Sequence, residues 1–271
     1  MTRLSYRAIW ISDVHLGARD AKVEFLLDFL NHTECRFLYL VGDIFDIWKL
    51  KSGWHWSDIN NQIVRRVMHM ARAGTRVIYI PGNHDELFRA YTGSRFGDIR
   101  VEAEAIHTLH DGRRLLVRHG DEFDNIIRYN KWLAHLGSNA YDLLLWLNHW
   151  FSYIHHRKLG FRYWSLSAYL KHKVKNAVNY IGKFQEIVAA EAARRGVDGL
   201  VCGHIHHATI DDGRDVLYAN SGDWVESCTA LVEDHGGVLS ILRWADDSAA
   251  LLDTRESYED RNRNRGLAPA N

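Results

Sequence analysis

Arg76-Val77-Ile78-Tyr79-Ile80-Pro81-Gly82-Asn83-His84-Asp85 carries the reading of the fold: an apolar run of strand length ends in a polar turn punctuated by proline and glycine. Such runs, bounded by Gly and Pro, read as buried strands. The same pattern recurs along the chain. Residues 8–12 read as a strand ending at Asp13, and 37–41 as one ending at Gly42-Asp43. Residues 114–118 deliver His119-Gly120-Asp121, and 199–202 deliver Gly203-His204-Ile205-His206. Helical segments lie between them, at 22–30 with Val23, Leu26, Leu27 and Leu30 on one face, and at 58–73. This βαβ rhythm predicts an α/β fold whose polar turns gather at the carboxyl ends of the strands, where open sheets of this class bind ligands. Past Gly203 the segments shorten. Those around 216–220, 229–232 and 238–243 suit antiparallel strands of a second sheet, and 245–271 is a polar stretch expected to be a mobile tail.

Bulk composition sets the frame. The 271 residues, 46% hydrophobic and 25% charged, suffice for one α/β domain plus an insertion. Lys+Arg and Asp+Glu both total 34, so net charge points to neither nucleic acid nor membrane as partner. Seventeen histidines are many, and they sit beside Asp, Asn and Gly, the first sign of metal. Cys35, Cys202 and Cys228 have no paired spacing, which favours buried free thiols in a reducing compartment. The apolar segment at 8–11 is too short for a signal or spanning helix, so the expected location is cytoplasmic.

The chemistry lies in the turns: Asp13-x-His15, Gly42-Asp43-x-x-Asp46, Gly82-Asn83-His84-Asp85, His119 and Gly203-His204-x-His206. A carboxylate and an imidazole two apart on extended backbone point the same way and can hold one cation. Asp43, after a glycine that permits a tight turn, has two oxygens and can bridge two ions about 3.5–4 Å apart. Mixed oxygen and nitrogen donors suit Mn, Fe or Zn better than Ca or Mg. Singly, Asp13 reads equally well as a helix cap, Asn83 as a turn residue and any one histidine as packing. Five strand-end motifs in order do not reduce to those readings.

The ordered set resembles the calcineurin-like metallophosphoesterase superfamily, all five of whose motifs are present. The resemblance implies a four-layer αββα sandwich and two divalent ions, Mn(II) first, with Fe or Zn as alternatives. It places Asp13, His15, Asp43 and His206 on one ion and Asp43, Asn83, His119 and His204 on the other. A water acidified by both would attack phosphorus in line. His84 would contact the phosphoryl group and assist the leaving oxygen, with Asp85 or Asp46 orienting its imidazole.

The interval between His119 and Gly203 is longer than a crossover needs. Residues 126–185 read as a helical cap inserted between two core segments, 1–125 and 186–244. The cap lacks proline, is rich in tryptophan, and carries nine Lys/Arg against one acid, Asp142. The cap is therefore +8 and the remainder −8. An aromatic, basic cap beside a phosphoesterase site suits an amphiphilic anion or an anionic membrane surface. The organisation resembles the UDP-2,3-diacylglucosamine diphosphatases of lipid A synthesis, including the Asp13-Val14-His15-Leu16-Gly17 opening and the Gly203-His204-x-His206 closing. That resemblance implies cleavage of a lipid-linked nucleotide diphosphate to UMP and the lipid 1-phosphate, at the cytoplasmic face of the inner membrane. No obligate protein partner and no nucleic acid is implied. The chain departs from those enzymes at His84, where they carry Arg in a GNRD motif. Asn83, His84, Asn125, Ser165, Lys171, Lys175, Asn176 and His204 are the candidate substrate contacts, and Trp48, Trp54 and Trp56 a candidate facing wall. A general phosphomonoesterase or nuclease is the competing enzyme class; a scaffold on a decayed site would lack ligands, and none is missing.

Overall fold

Helical and extended segments alternate from the first apolar run onward. The computed structural model describes residues 3–51, 53–124, 184, 186–212 and 216–248. The chain divides into two compact units, 1–121 with 188–271, and 122–187. In the second unit, Phe123 meets Phe184 edge to face with ring centroids 5.7 Å apart. The cap expected at 126–185 and nearly all of the expected tail lie outside the described residues.

The first unit opens with β1 (Leu4–Ile11), α1 (Val23–His32), β2 (Thr33–Val41), α2 (Asp58–Arg72) and β3 (Arg76–Ile80). β1, β2 and β3 pair in parallel, in register Trp10↔Tyr39 and Tyr39↔Ile78. α1 and α2 cover one face of this sheet because Leu26, Leu30, Ile63 and Val67 recur at helical spacing and join one core cluster with Ile9, Ile11, Leu38 and Leu40. Alternate residues of the same strands, Ala8, Trp10, Tyr39 and Val41, face the other way into a second core shared with Leu115, Val117 and Val201. Trp10 and Tyr39 stack there at 5.5 Å.

That second core belongs to a second sheet. β6 (Ala105–Thr108), β7 (Arg114–Val117), β8 (Gly199–Cys202), β9 (Thr209–Asp211) and β10 (Leu217–Asn220) form it in the order β6-β7-β8-β10-β9, with β7, β8 and β10 parallel. A helix over 186–195 buries Val188 and Ala192 and sets Glu191 3.4 Å from Arg118, completing a helix–sheet–sheet–helix sandwich.

Two details differ from the sequence reading. β11 (Thr229–Glu233) and β12 (Leu239–Arg243) return to the first sheet, β11 lying antiparallel to β1 and β12 at the sheet edge beyond it. Only β9 and β10 of that region enter the second sheet. The interval before His119, without a regular pattern in the sequence, holds β4 (Arg95–Phe96), β5 (Ile99–Val101) and β6, which are too short to show a period. A buried polar network ties the sheets together: Tyr39 Oη and His107 Nδ1 lie 2.9 Å apart, His107 Nε2 and Glu233 Oε2 2.9 Å, and Arg7 donates to both Glu233 oxygens at 2.6 and 2.7 Å.

Candidate metal centre

Strand ends bring the candidate ligands together. Asp13 and His15 follow β1, Asp43 and Asp46 follow β2, Asn83 and His84 follow β3, His119 follows β7, and His204 and His206 follow β8. Among the described residues three groups form, Asp13 with His15 and His206, Asp43 with His119 and His204, and His15 with Asp46 and His84; within each, one donor atom per residue lies within 4.8 Å of the others. Asp43 Oδ2 stands between the first two, 3.4 Å from His119 Nε2 and 4.0 Å from His15 Nε2. Asp13 Oδ1 lies 3.3 Å from His206 Nε2.

The backbone is bent to achieve this. Six non-glycine residues among those described have φ in the left-handed region, and Asp13, His15, Asp43, His204 and His206 are five of them, at 51, 54, 53, 69 and 52°. Each such residue costs of order 1 kcal/mol, held by its surroundings, and strain of this kind concentrates at functional sites. Glycine at 82 is required by space, since a Cβ there would overlap the Asp43 carboxylate and main chain.

Hydrogen bonds aim the donors inward. His119 Nδ1 faces the Val41 carbonyl at 2.9 Å, an arrangement that leaves Nε2 as the inward atom. Asp43 Oδ1 accepts the His84 amide at 2.8 Å, and Asp13 Oδ2 accepts the His204 amide at 2.9 Å. Asp13 Oδ1, Asn83 Oδ1 and His119 Nε2 are buried yet have no hydrogen-bond partner among the described residues. Orphaned buried polar atoms are costly, and those of Asp13 and His119 belong to the two ligand groups, where a cation fits them.

Electrostatics agree with that fit. Burial alone would push the Asp13 carboxyl up, but His206 outweighs it and holds it down at about 2. Burial opposes ionisation of Asp43 as well, and His119 overrides it, leaving the carboxyl well below the usual range. Burial would lower the His206 imidazole, whereas Asp13 raises it to about 9. Acids and imidazoles are thus packed closely enough that each shifts the charge of the other.

The two carboxylates considered for orienting His84 separate cleanly. Asp46 is the partner, its Oδ1 3.1 Å from His84 Nδ1. Asp85, expected beside His84 in catalysis, is fully buried and turned away. It accepts the amides of Gly82 at 2.6 Å and Ile44 at 2.8 Å and the Tyr79 hydroxyl at 2.6 Å, locking the β2 and β3 turns together. Burial, then the Asp43 charge, pushes its carboxyl above the ordinary value. Asn125, Ser165, Lys171, Lys175 and Asn176 lie outside the described residues.

Several supporting groups escaped the sequence reading. Asn220 donates to the Gly203 carbonyl at 2.6 Å, and Ser12 and Ser221 hydroxyls meet at 2.7 Å, fastening the His204 turn to β1 and β10. The signal was present: Asn220-Ser221-Gly222-Asp223 is another polar turn at a strand end. Asp223 accepts the Val225 amide at 2.8 Å and Trp224 is wholly buried, so both serve the turn and the core. Trp48 lies against His84 with ring centroids 4.0 Å apart and planes tilted by 30°, Trp54 packs on Trp56 at 4.6 Å, and Trp56 lies 6.3 Å from Phe45.

Comparison with known proteins bears on the same strand ends. The chain is similar to a protein named UDP-2,3-diacylglucosamine hydrolase from Edwardsiella ictaluri (strain 93-146), 27% identical over 80% of this chain and 84% of that one. It is similar to another of that name from Neisseria meningitidis serogroup B, 23% identical over 90% of this chain and 97% of that one. Among solved structures it aligns with an archaeal phosphodiesterase at 11% identity and a TM-score of 0.38, covering 87% of this chain and 98% of that one. The sequence profile described as calcineurin-like phosphoesterase matches residues 6–208, a span that takes in every strand-end motif from Asp13 to His206. With that match, the strained turns and the converging acids and imidazoles have one explanation: the chain belongs to the calcineurin-like phosphoesterase family and is a metal-dependent phosphoester hydrolase.

Proposed function

We propose that this enzyme hydrolyses the pyrophosphate of UDP-2,3-diacylglucosamine or a close lipid-linked nucleotide diphosphate, releasing UMP and the lipid 1-phosphate. The observation that carries the reading is similarity to relatives bearing that hydrolase name over 84 to 97% of their length. Asp13, His15 and His206 would hold one ion and Asn83, His119 and His204 the other, with Asp43 shared. The proximity of Asp43 Oδ2 to a histidine of each group supports the sharing. Mn(II) suits the mixed donors best, with Fe or Zn as alternatives. When bound, the ions supply an acidified water for attack on phosphorus and offset charge on the phosphoryl oxygens.

The residues do the rest. Asn83 and His204 border the phosphoryl position, and His84, held by Asp46, presents Nε2 to the leaving oxygen. Asp85 keeps the turns in register without touching substrate. By composition the basic, aromatic stretch at 126–185 offers apolar groups for acyl chains and cations for phosphates and for anionic lipid at the cytoplasmic face of the inner membrane. Among the described residues, no helix is long and apolar enough to cross a membrane.

Rates of Mn-supported hydrolysis test the substrate. UDP-2,3-diacylglucosamine should be turned over far faster than p-nitrophenyl phosphate or a simple phosphodiester. Equal slow rates on all three would overturn the lipid reading and leave the phosphoesterase chemistry standing.

A further inference from the structure

Trp48, one of the three tryptophans of the candidate facing wall, is singled out by its surroundings. It sits on the 3₁₀ turn Ile47–Lys51, two residues beyond Asp46, and is 40% exposed, unlike the tryptophans of the core. Its ring lies on the His84 imidazole with centroids 4.0 Å apart at 30°. The turn and the residue before it grip His84 twice more. The Ile47 amide donates to the His84 carbonyl at 3.1 Å, and Asp46 Oδ1 lies 3.1 Å from Nδ1. On a further side His15 meets the imidazole edge to face at 4.5 Å. Nε2 alone is left without a hydrogen bond among the described residues. One hydrogen bond at Nδ1 leaves the ring free to swing about that contact, and with its side chain 24% exposed, water competes for Asp46. A flat indole against the imidazole face removes the swing.

We infer that Trp48 is a positioning residue that fixes the plane of the His84 imidazole, so that Nε2 addresses the leaving oxygen of the phosphoester. The inference rests on the reading of His84 given above. Asp46 sets which nitrogen faces inward, and Trp48 sets the direction in which it faces. Asp46 immediately precedes the five-residue turn that carries Trp48, so one short stretch of chain orients the group. An arginine at position 84, as in GNRD motifs, would present a flexible fork in place of a ring, and the same indole would then stack on a guanidinium plane.

A double-mutant cycle tests the inference on the metal-loaded full chain, with UDP-2,3-diacylglucosamine and, in parallel, with an alkyl phosphodiester of poor leaving ability. Trp48→Leu should lower kcat by about tenfold with little change in KM, because small misplacements of a catalytic group are costly. Trp48→Phe, which keeps a flat face, should restore most of the rate. In the His84→Ala background Trp48→Leu should change kcat by less than about twofold, since it then has nothing to position. Equal losses in both backgrounds overturn the inference, whereas an unchanged rate in His84→Ala alone overturns the reading of His84. A second readout does not depend on turnover. In the zinc-loaded, diamagnetic protein, the His84 ring protons, assigned by their loss in His84→Gln, should be shifted upfield by the indole in wild type and by the phenyl ring in Trp48→Phe. Trp48→Leu should abolish the shift, and wild-type resonances matching those of Trp48→Leu would overturn the contact itself.

Discussion

Asp43 is the residue on which the centre turns. One oxygen is engaged by the His84 amide and the other stands between the two histidine groups, so its charge has no substitute. Asp43→Asn should lower kcat by on the order of 10³ or more and reduce bound metal below two ions per chain, measured by kinetics with elemental analysis. His84 predicts the opposite pattern. Its side chain touches Asp46, His15 and Trp48, so His84→Ala should lower kcat by about 10²-fold while metal content stays near two per chain. Loss of metal in that variant would make His84 a ligand. Asp85 belongs to stability. Truncation to Ala strands the buried Gly82 and Ile44 amides and the Tyr79 hydroxyl, and should cost about 3 kcal/mol by urea unfolding of the metal-free chain. The sequence could not separate Asp46 from Asp85. Both follow a strand by a few residues, and only the twist of each turn decides that one faces His84 and the other the backbone.

At the level of elements, legibility followed length and offset. β1, β2, β3, β7 and β8 were readable because each is an apolar run with its chemistry a fixed step past the end. β11 was readable as a strand but not as a member of the first sheet, because a strand buried on both faces carries no mark of which neighbours it joins. Its last residue, Glu233, makes that placement testable. Burial pushes the Glu233 carboxyl up, but His107 and Arg7 hold it below its ordinary value of 4.5. A depressed carboxyl contributes stability that is full above the unfolded value and is lost as pH falls through the lower folded one. Glu233→Gln should therefore destabilise the fold by about 3 kcal/mol at neutral pH, since it leaves Arg7 beside a neutral amide in a buried network. Thermal or urea unfolding should show the gap from wild type closing as the pH drops through the folded value. A gap independent of pH would mean that packing, not charge, ties the sheets together.

For the whole molecule, the sandwich sets two cores back to back so that turns from both sheets open at one end, and five of the six non-glycine left-handed residues among those described lie in that centre. Such a site was legible in outline from one sequence because metal ligands are few, chemically distinctive and ordered along the chain. The supporting layer of Ser12, Asn220 and Ser221 was not, since serine and asparagine at a turn are common for reasons unrelated to a metal. Charge polarisation is a property of the full chain: residues 126–185 carry +8 against −8 elsewhere. The central claim is that two ions share Asp43. Anomalous diffraction from crystals of the manganese-loaded protein tests it most directly: two peaks about 3.5–4 Å apart should flank the Asp43 carboxylate, one beside Asp13 and His206, the other beside His119 and His204. A single peak, or two that do not share Asp43, would contradict it.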